Sequence, residues 1–401
     1  GQICFIFMVM QNMICASGGI FLTQYFGAKQ REGMRQSVAF KVVASLSTCI
    51  FYFLATFVFT RPVLSLMVIG NSQADLILDE GQKYMYLMGF IGIQMMISSI
   101  LSSSYREIGR VRVILVITLI AAGSNAFLNW VFIYGHLGMP RLEVEGAAYA
   151  TIIAKTVEML LLIGYTIKER PEFISFSVFK RIDWALFGRI LKKGSLLIIS
   201  QMMWVLSESF TAAIYNGRGN AAVVSGMAAS FSIANLFFIS FDGITTATGV
   251  LIGKSLGRNE LDDARKEKTW MLSAAIIFGC IMCLVGVVTV LLVPVVFGNL
   301  SIDAQNICRA MLLLMALFMP LWIYVNTQLA VCRAGGDTKV GFLVDGGTTA
   351  VMIPMLLILA FFTNASPVMM YFGVKALDVG KIIVATHEMK KERWVVNLSN
   401  A

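Results

Sequence analysis

The chain has 401 residues, 58% of them hydrophobic and only 14% charged, with a formal net charge of +9. Soluble domains run nearer about 45–50% apolar and about 25% charged, and a mean hydropathy of +0.78 leaves too little polar surface to cover a water-soluble globule. The basic excess is scattered around apolar runs rather than gathered on one aromatic-interleaved face, which excludes a nucleic-acid partner.

Taken in order, apolar stretches of roughly 20 residues or more, enough to cross about 30 Å of hydrocarbon, are predicted at 1–26, 36–59, 83–104, 111–135, 146–167, 194–216, 222–252, 271–296, 306–331, 341–362 and 366–386. The fold class is therefore an all-α polytopic membrane protein in contact with the lipid bilayer. The 222–252 stretch is long enough to tilt or break. Gly1-Gln-Ile-Cys4 already lies inside an apolar run, and five spans in the first half face six in the second. Eleven of twelve helices are therefore expected, with the first one missing.

Lys and Arg fall mainly on alternate connections. Lys29, Arg31 and Arg35; Arg106, Arg110 and Arg112; Lys168 to Lys193; Lys254 to Lys268; Arg333 and Lys339; and the tail Lys390, Lys391 and Arg393 together hold 23 of the 32 basic residues. The positive-inside rule makes this side cytoplasmic, together with the C-terminus. The polar stretch 168–193 divides the chain into an N-lobe over 1–167 and a C-lobe over 194–386, with a cytoplasmic tail over 387–401. The stretch itself is expected to be a surface-lying connector.

The chain also repeats itself. Gly19-Ile-Phe-Leu-Thr-Gln-Tyr-Phe-Gly27-Ala-Lys29 recurs as Gly249-Val-Leu-Ile-Gly-Lys-Ser-Leu-Gly257-Arg258, 230 residues on, and Arg106 matches Arg333 at an offset of 227. Two homologous helical-bundle lobes in an apolar chain are the organisation of a repeat-built transporter. Gly27 and Gly257 close their helices where a positive φ is expected, followed by cations that suit the helix dipole.

The repeated motif, Asn125-Ala-Phe-Leu-Asn129-Trp-Val-Phe-Ile-Tyr-Gly135, Glu145-Gly-Ala-Ala-Tyr-Ala-Thr151, Arg333-Ala-Gly-Gly-Asp337-Thr-Lys339 and Trp394-Val-Val-Asn397-Leu resemble, in this order, the multidrug and toxic compound extrusion (MATE) transporters. The resemblance covers the whole chain. It implies twelve helices in two six-helix lobes and export of amphipathic organic cations by alternating access, in antiport with H⁺ or Na⁺. It implies no cofactor beyond the transported ion. A monomer in a bacterial inner membrane is expected. The runner-up is a flippase of lipid-linked oligosaccharide, which would line its cavity with many Lys and Arg; this chain's spans hold few.

Charge inside a membrane is costly, about 2.5–3.5 kcal/mol on insertion scales, so each case asks for a reason. Glu208 stands mid-span in Ser200-Gln-Met-Met-Trp204-Val-Leu-Ser-Glu208, with no basic residue three or four positions away on its own helix. It is the candidate cation-coupling carboxylate, and it resembles a Glu that Na⁺-linked members of the family use on this helix. A one-turn offset would put Trp204 there, and a structural hydrogen bond between helices is the plainer alternative. Asp242, beside Gly243 and two threonines, is a second candidate.

Asn125 and Asn129 lie four apart with Thr151 on the next span. Proton-linked archaeal relatives resemble this pattern with an Asp at the position of Asn129, which cannot release a proton. The stretch Leu321 to Tyr324 lacks the Asp of the family's Na⁺ site, leaving Tyr324 and Asn326 as polar substitutes. Lys155 with Glu158, and Lys375 with Asp378, are spaced to satisfy one another, and Lys41 is placed to snorkel. Cys280 and Cys283 are expected to be small buried hydrophobes. Two histidines, both in loops, cannot assemble a His-rich metal site, and no catalytic constellation points to an enzyme.

Overall fold

The computed structural model describes residues 2–65, 74–363 and 365–400. Part of the predicted outer connection from Arg61 to Gly81 lies outside them. The described residues form helices and their connections, with no strand among them. In chain order the helices are α1 (Gln2–Gly27), α2 (Arg31–Phe53, extended by a π-turn over Leu54–Val58), α3 (Thr60–Ser65), α4 (Ala74–Gly89), α5 (Ile91–Glu107), α6 (Val111–Tyr134) and α7 (Glu143–Glu169). A 3₁₀ turn over Phe176–Lys180 leads to α8 (Trp184–Arg218), α9 (Ala221–Gly257), α10 (Leu261–Val296), α11 (Ile302–Ala334), α12 (Lys339–Phe362), α13 (Pro367–Ala376) and α14 (Asp378–Lys390).

Nine helices among the described residues are long and apolar enough to cross a membrane, and the pair Gly81–Gly89 and Ile91–Glu107, bent by 41°, brings the number to ten where it is counted as one span. The predicted eleventh, 366–386, is two short helices. Ser366 caps the first by accepting the Met369 N–H, and Leu377 breaks the run before Asp378. The long 222–252 stretch stays one unbroken helix of 37 residues, α9. Pro294, Pro320 and Pro354 are carried inside α10, α11 and α12. Large apolar side chains such as Leu291, Val295 and Phe361 stand exposed, as helices facing lipid require.

The chain forms two compact units. The first comprises Gly1–Leu22 and Gln30–Leu191, the second Thr23–Lys29 and Lys192–Ala401. In the first, the polar stretch after α7 is firmly attached rather than loosely laid. Gln36 on α2 donates to the Arg181 carbonyl at 2.8 Å and accepts from the Asp183 N–H, Arg35 donates to the Glu172 carbonyl, and buried Phe173 meets Tyr105 edge-on at 5.3 Å.

Lys41 does not snorkel. It is wholly buried, with its ammonium 2.5 Å from Glu107 Oε2 and within reach of the Ser103 and Ser104 hydroxyls at 3.1 and 3.2 Å. Gly18 and Gly19 make room for the pair: a Cβ on Gly18 would sit 2.7 Å from Lys41 Cγ, and one on Gly19 would sit 2.1 Å from Glu107 Oε1. Lys41 escapes the desolvation cost because every donor it turns inward finds an oxygen.

In the second unit the repeated glycines serve close approach rather than backbone twist. A Cβ on Gly27 would lie 2.3 Å from the Lys254 carbonyl oxygen, and one on Gly257 would lie 2.0 Å from that of Gln24. The left-handed residues are Lys29 (φ 56) and Asn259 (φ 64), two positions beyond each glycine. The tail is part of this core. Trp394 is completely buried, and Gln24 donates to the Ala334 carbonyl at 2.7 Å while its own oxygen accepts the Leu398 N–H at 2.6 Å. Cys280 is exposed on α10 rather than buried, and Cys283 is half-buried.

Candidate functional site: a charged cluster in the second unit

Glu208 lies on α8, and its partner comes from another helix. The Lys375 ammonium, in the last turn of α13, stands 2.5 Å from Glu208 Oε1, with the two side chains 12% and 27% exposed respectively. Lys375 does not turn to Asp378 as its spacing predicts. Leu377 between them keeps helical dihedrals (φ −63, ψ −23), so Asp378 stays within electrostatic range, but Lys375 makes its close contact with Glu208. Asp378 instead opens α14, where the positive end of the helix dipole suits a carboxylate. Its Oδ2 accepts the Trp322 indole N–H at 2.8 Å, and its Oδ1 lies 3.3 Å from the Lys381 ammonium.

Lys381 reaches Asp345 on α12 at 3.6 Å, and Asp345 accepts the Ser200 hydroxyl at 2.9 Å. The rings of Tyr371 and Trp322 flank Lys375, their centroids 5.5 and 5.8 Å from its nitrogen. Glu208, Asp378 and Asp345 thus meet the ammonium groups of Lys375 and Lys381. Arg333 is the third cation of the cluster, acting on Asp345 first and on Asp242 beyond it. Helix packing in a membrane does not tolerate a bare charge cheaply, and each of the three carboxylates has a cation facing it.

Of the residues singled out from sequence, Glu208 lies in the cluster and Asp242 adjoins it through Arg333. Trp204, one turn before Glu208 on α8, is exposed. Asn326 donates back to the Trp322 carbonyl of its own helix at 2.9 Å, and Tyr324, two residues earlier, occupies a different face.

In the first unit Asn129 donates to Asn125 Oδ1 at 3.1 Å, while its own buried carbonyl oxygen has no hydrogen-bond partner among the described residues. The Thr151 hydroxyl turns to the Ala147 carbonyl of its own helix. Lys155 and Glu158 pair at 2.8 Å, as their spacing predicts. Sequence reasoning missed Lys375, Lys381 and Asp345 as members of one cluster. The available signal was their position in or beside apolar spans, but their partners lie on other helices.

Comparison with known proteins gives the context. The MatE family model matches residues 2–131 and 197–366. A probable multidrug resistance protein NorM from Listeria innocua serovar 6a is 23% identical over 389 residues, covering 95% of this chain and 83% of that protein. One from Mesorhizobium japonicum is 26% identical over 291 residues, covering 70% of this chain and 61% of the relative. The corresponding protein of Listeria monocytogenes serovar 1/2a is 25% identical over 264 residues, and the match spans 56% of its length. In these last two the chain spans less than two thirds of the relative.

Among solved structures, the Vibrio cholerae MATE transporter VcmN superposes with a TM-score of 0.82 at 17% identity, covering 98% of this chain and 88% of that one. A multidrug resistance MATE family transporter of the MOP superfamily gives 0.84 at 16% identity, with 97% and 85% covered. At such identities the likeness is one of fold.

Proposed function

The chain belongs to the MatE family, a family of transporters and not of enzymes, and we propose that it exports amphipathic organic cations in exchange for H⁺ or Na⁺. The observation that carries this reading is Glu208, a carboxylate on the long apolar helix α8 whose cation partner, Lys375, comes from another helix. A carboxylate in such a place is stable with a cation or a proton and unstable without either. That property lets an inward-moving ion and an outward-moving substrate exclude one another. The family names of the relatives, probable multidrug resistance proteins, support a xenobiotic cargo, and the exposed Trp204 offers an apolar ring to a flat cation. The distribution of Lys and Arg supports a cytoplasmic C-terminus, and the bacterial relatives support a bacterial inner membrane.

The test is transport of ethidium by the protein in proteoliposomes under a pH gradient or a Na⁺ gradient, with Glu208→Gln alongside. Transport driven by one gradient and abolished in the Gln variant is the expected result. Gradient-driven transport that survives Glu208→Gln would remove Glu208 from the coupling role. No response to either gradient would overturn the antiport reading altogether.

A further inference from the structure

We propose that Glu208 and Tyr215 form a cation site whose resident occupant is the ammonium of Lys375, a tethered counter-ion that the coupling ion must displace. The inference rests on the reading of Glu208 as the coupling carboxylate. Three observations carry it.

The first is geometric: Lys375 already stands where a coupling cation would bind, 2.5 Å from Glu208 Oε1. The second is the fate of the displaced ammonium. Lys375 lies two residues before Leu377, where α13 gives way to α14, and Asp378, just past it, interacts with Lys375 electrostatically. Tyr371 and Trp322 line the way with ring faces, which stabilise a cation in transit. Asp378 is already held in place by the Trp322 N–H and Lys381, so it can receive a second ammonium without moving.

The third is an unsatisfied atom. The Tyr215 hydroxyl is buried with no hydrogen-bond partner among the described residues, on a side chain only 1% exposed. Buried polar atoms left unpaired cost free energy and ask for an explanation. Tyr215 is two turns beyond Glu208 on the same face of α8. Its side chain leans back toward the helix N-terminus, and both Glu208 and Lys375 act on it electrostatically. A Na⁺ ion at Glu208 would find a neutral oxygen ligand there.

In the exchange, Na⁺ or H⁺ arrives at Glu208 and Lys375 withdraws toward Asp378 with its own proton retained. When the ion leaves, the ammonium returns. The cluster also contains Lys381, Asp345, Arg333 and Asp242, with the phenols of Tyr215 and Tyr371 nearby, and Asp378 is the carboxylate within it that takes up the released ammonium. Ion selectivity then depends on how tightly Lys375 holds Glu208, not on Glu208 alone.

The experiment is competition between ethidium binding and Na⁺ or H⁺ on the purified protein in detergent, read by fluorescence. Lys375→Met is expected to lower the half-displacing concentration of the coupling ion at least tenfold. Lys375→Arg, which keeps the charge and grips a carboxylate through two N–H groups, is expected to raise it at least tenfold. The Arg variant carries the test if the Met variant does not assemble.

If Na⁺ is the competing ion, Tyr215→Phe is expected to weaken it about tenfold while leaving proton competition in place. Unchanged ion competition in Lys375→Arg, with competition abolished in Glu208→Gln, would overturn the counter-ion and leave the coupling reading standing. Intact competition in Glu208→Gln would show instead that the coupling reading itself had failed.

Discussion

Gly257 and Gln24 meet backbone to backbone: a Cβ on Gly257 would stand 2.0 Å from the Gln24 carbonyl oxygen. Neither backbone can yield without moving a helix, so Gly257→Ala is expected to destabilise the second unit by about 1–3 kcal/mol. Gly249, the other glycine of the same motif, has open space around it. Gly249→Ala should be neutral or stabilising by up to about 1 kcal/mol. Thermal melts in detergent separate the two, and equal melting temperatures would refute the close-approach account.

The Lys41–Glu107 pair gives a second prediction. Lys41→Met leaves a carboxylate, only 13% exposed, facing an apolar side chain, and should cost about 3–5 kcal/mol. Adding Glu107→Gln removes the orphaned charge and should recover at least half of that loss. A double variant no more stable than the single would mean that packing around Gly18 and Gly19, not charge, dominates the site.

Gln24 anchors two strands of backbone at once, the Ala334 carbonyl and the Leu398 N–H. Gln24→Leu leaves both buried groups without their partner, at about 1–3 kcal/mol each. Limited proteolysis should then release the tail beyond Lys390 earlier than in the unmodified protein. Unchanged cleavage would show that buried Trp394 holds the tail unaided.

In the same tail Glu392 accepts two hydrogen bonds from Arg265 at 3.1 and 2.9 Å, and Arg265 also holds Asp262 at 2.8 Å. The bonds from Arg265 hold the Glu392 carboxyl below its ordinary range. A carboxyl whose folded pKa is depressed stabilises the fold above its unfolded pKa and loses that contribution as pH falls through the folded value. Both groups are two-fifths exposed, so solvent screening keeps the contribution of the pair small. Arg265→Gln should therefore speed tail release, measured by hydrogen exchange, near neutrality and flatten its acid limb, the difference from the unmodified protein vanishing once Glu392 is protonated. A difference that persists or grows at acid pH would contradict the assignment.

Much of this was legible in the chain itself. The apolar runs marked the spans, and the repeated glycine motif marked the duplication. Lys155 with Glu158 could be paired from spacing because a helix fixes which of its own residues share a face. The same rule failed for Lys375 and Asp378, because the fold brings Glu208 to Lys375 and Trp322 with Lys381 to Asp378. It also failed for Lys41, whose partner is on a helix some 60 residues away. The repeated glycines were visible, but their role was misplaced: only the packing of the segment 23–27 against the end of α9, within the second unit, shows that Gly27 and Gly257 admit a neighbouring backbone.

What the sequence determined by itself is the set of properties that depend on neighbours along the chain: membrane solubility, span length, charge asymmetry and internal repetition. These follow from transfer free energy and helix periodicity, both of which are local. The tertiary structure alone decided which charges meet. In a medium that cannot solvate an ion, each buried charge must find its counter-charge on whichever helix the fold brings near, and no spacing rule encodes that distance. Glu208 is conspicuous in the sequence as a lone carboxylate. Only in the folded second unit does it acquire Lys375 as its counter-ion.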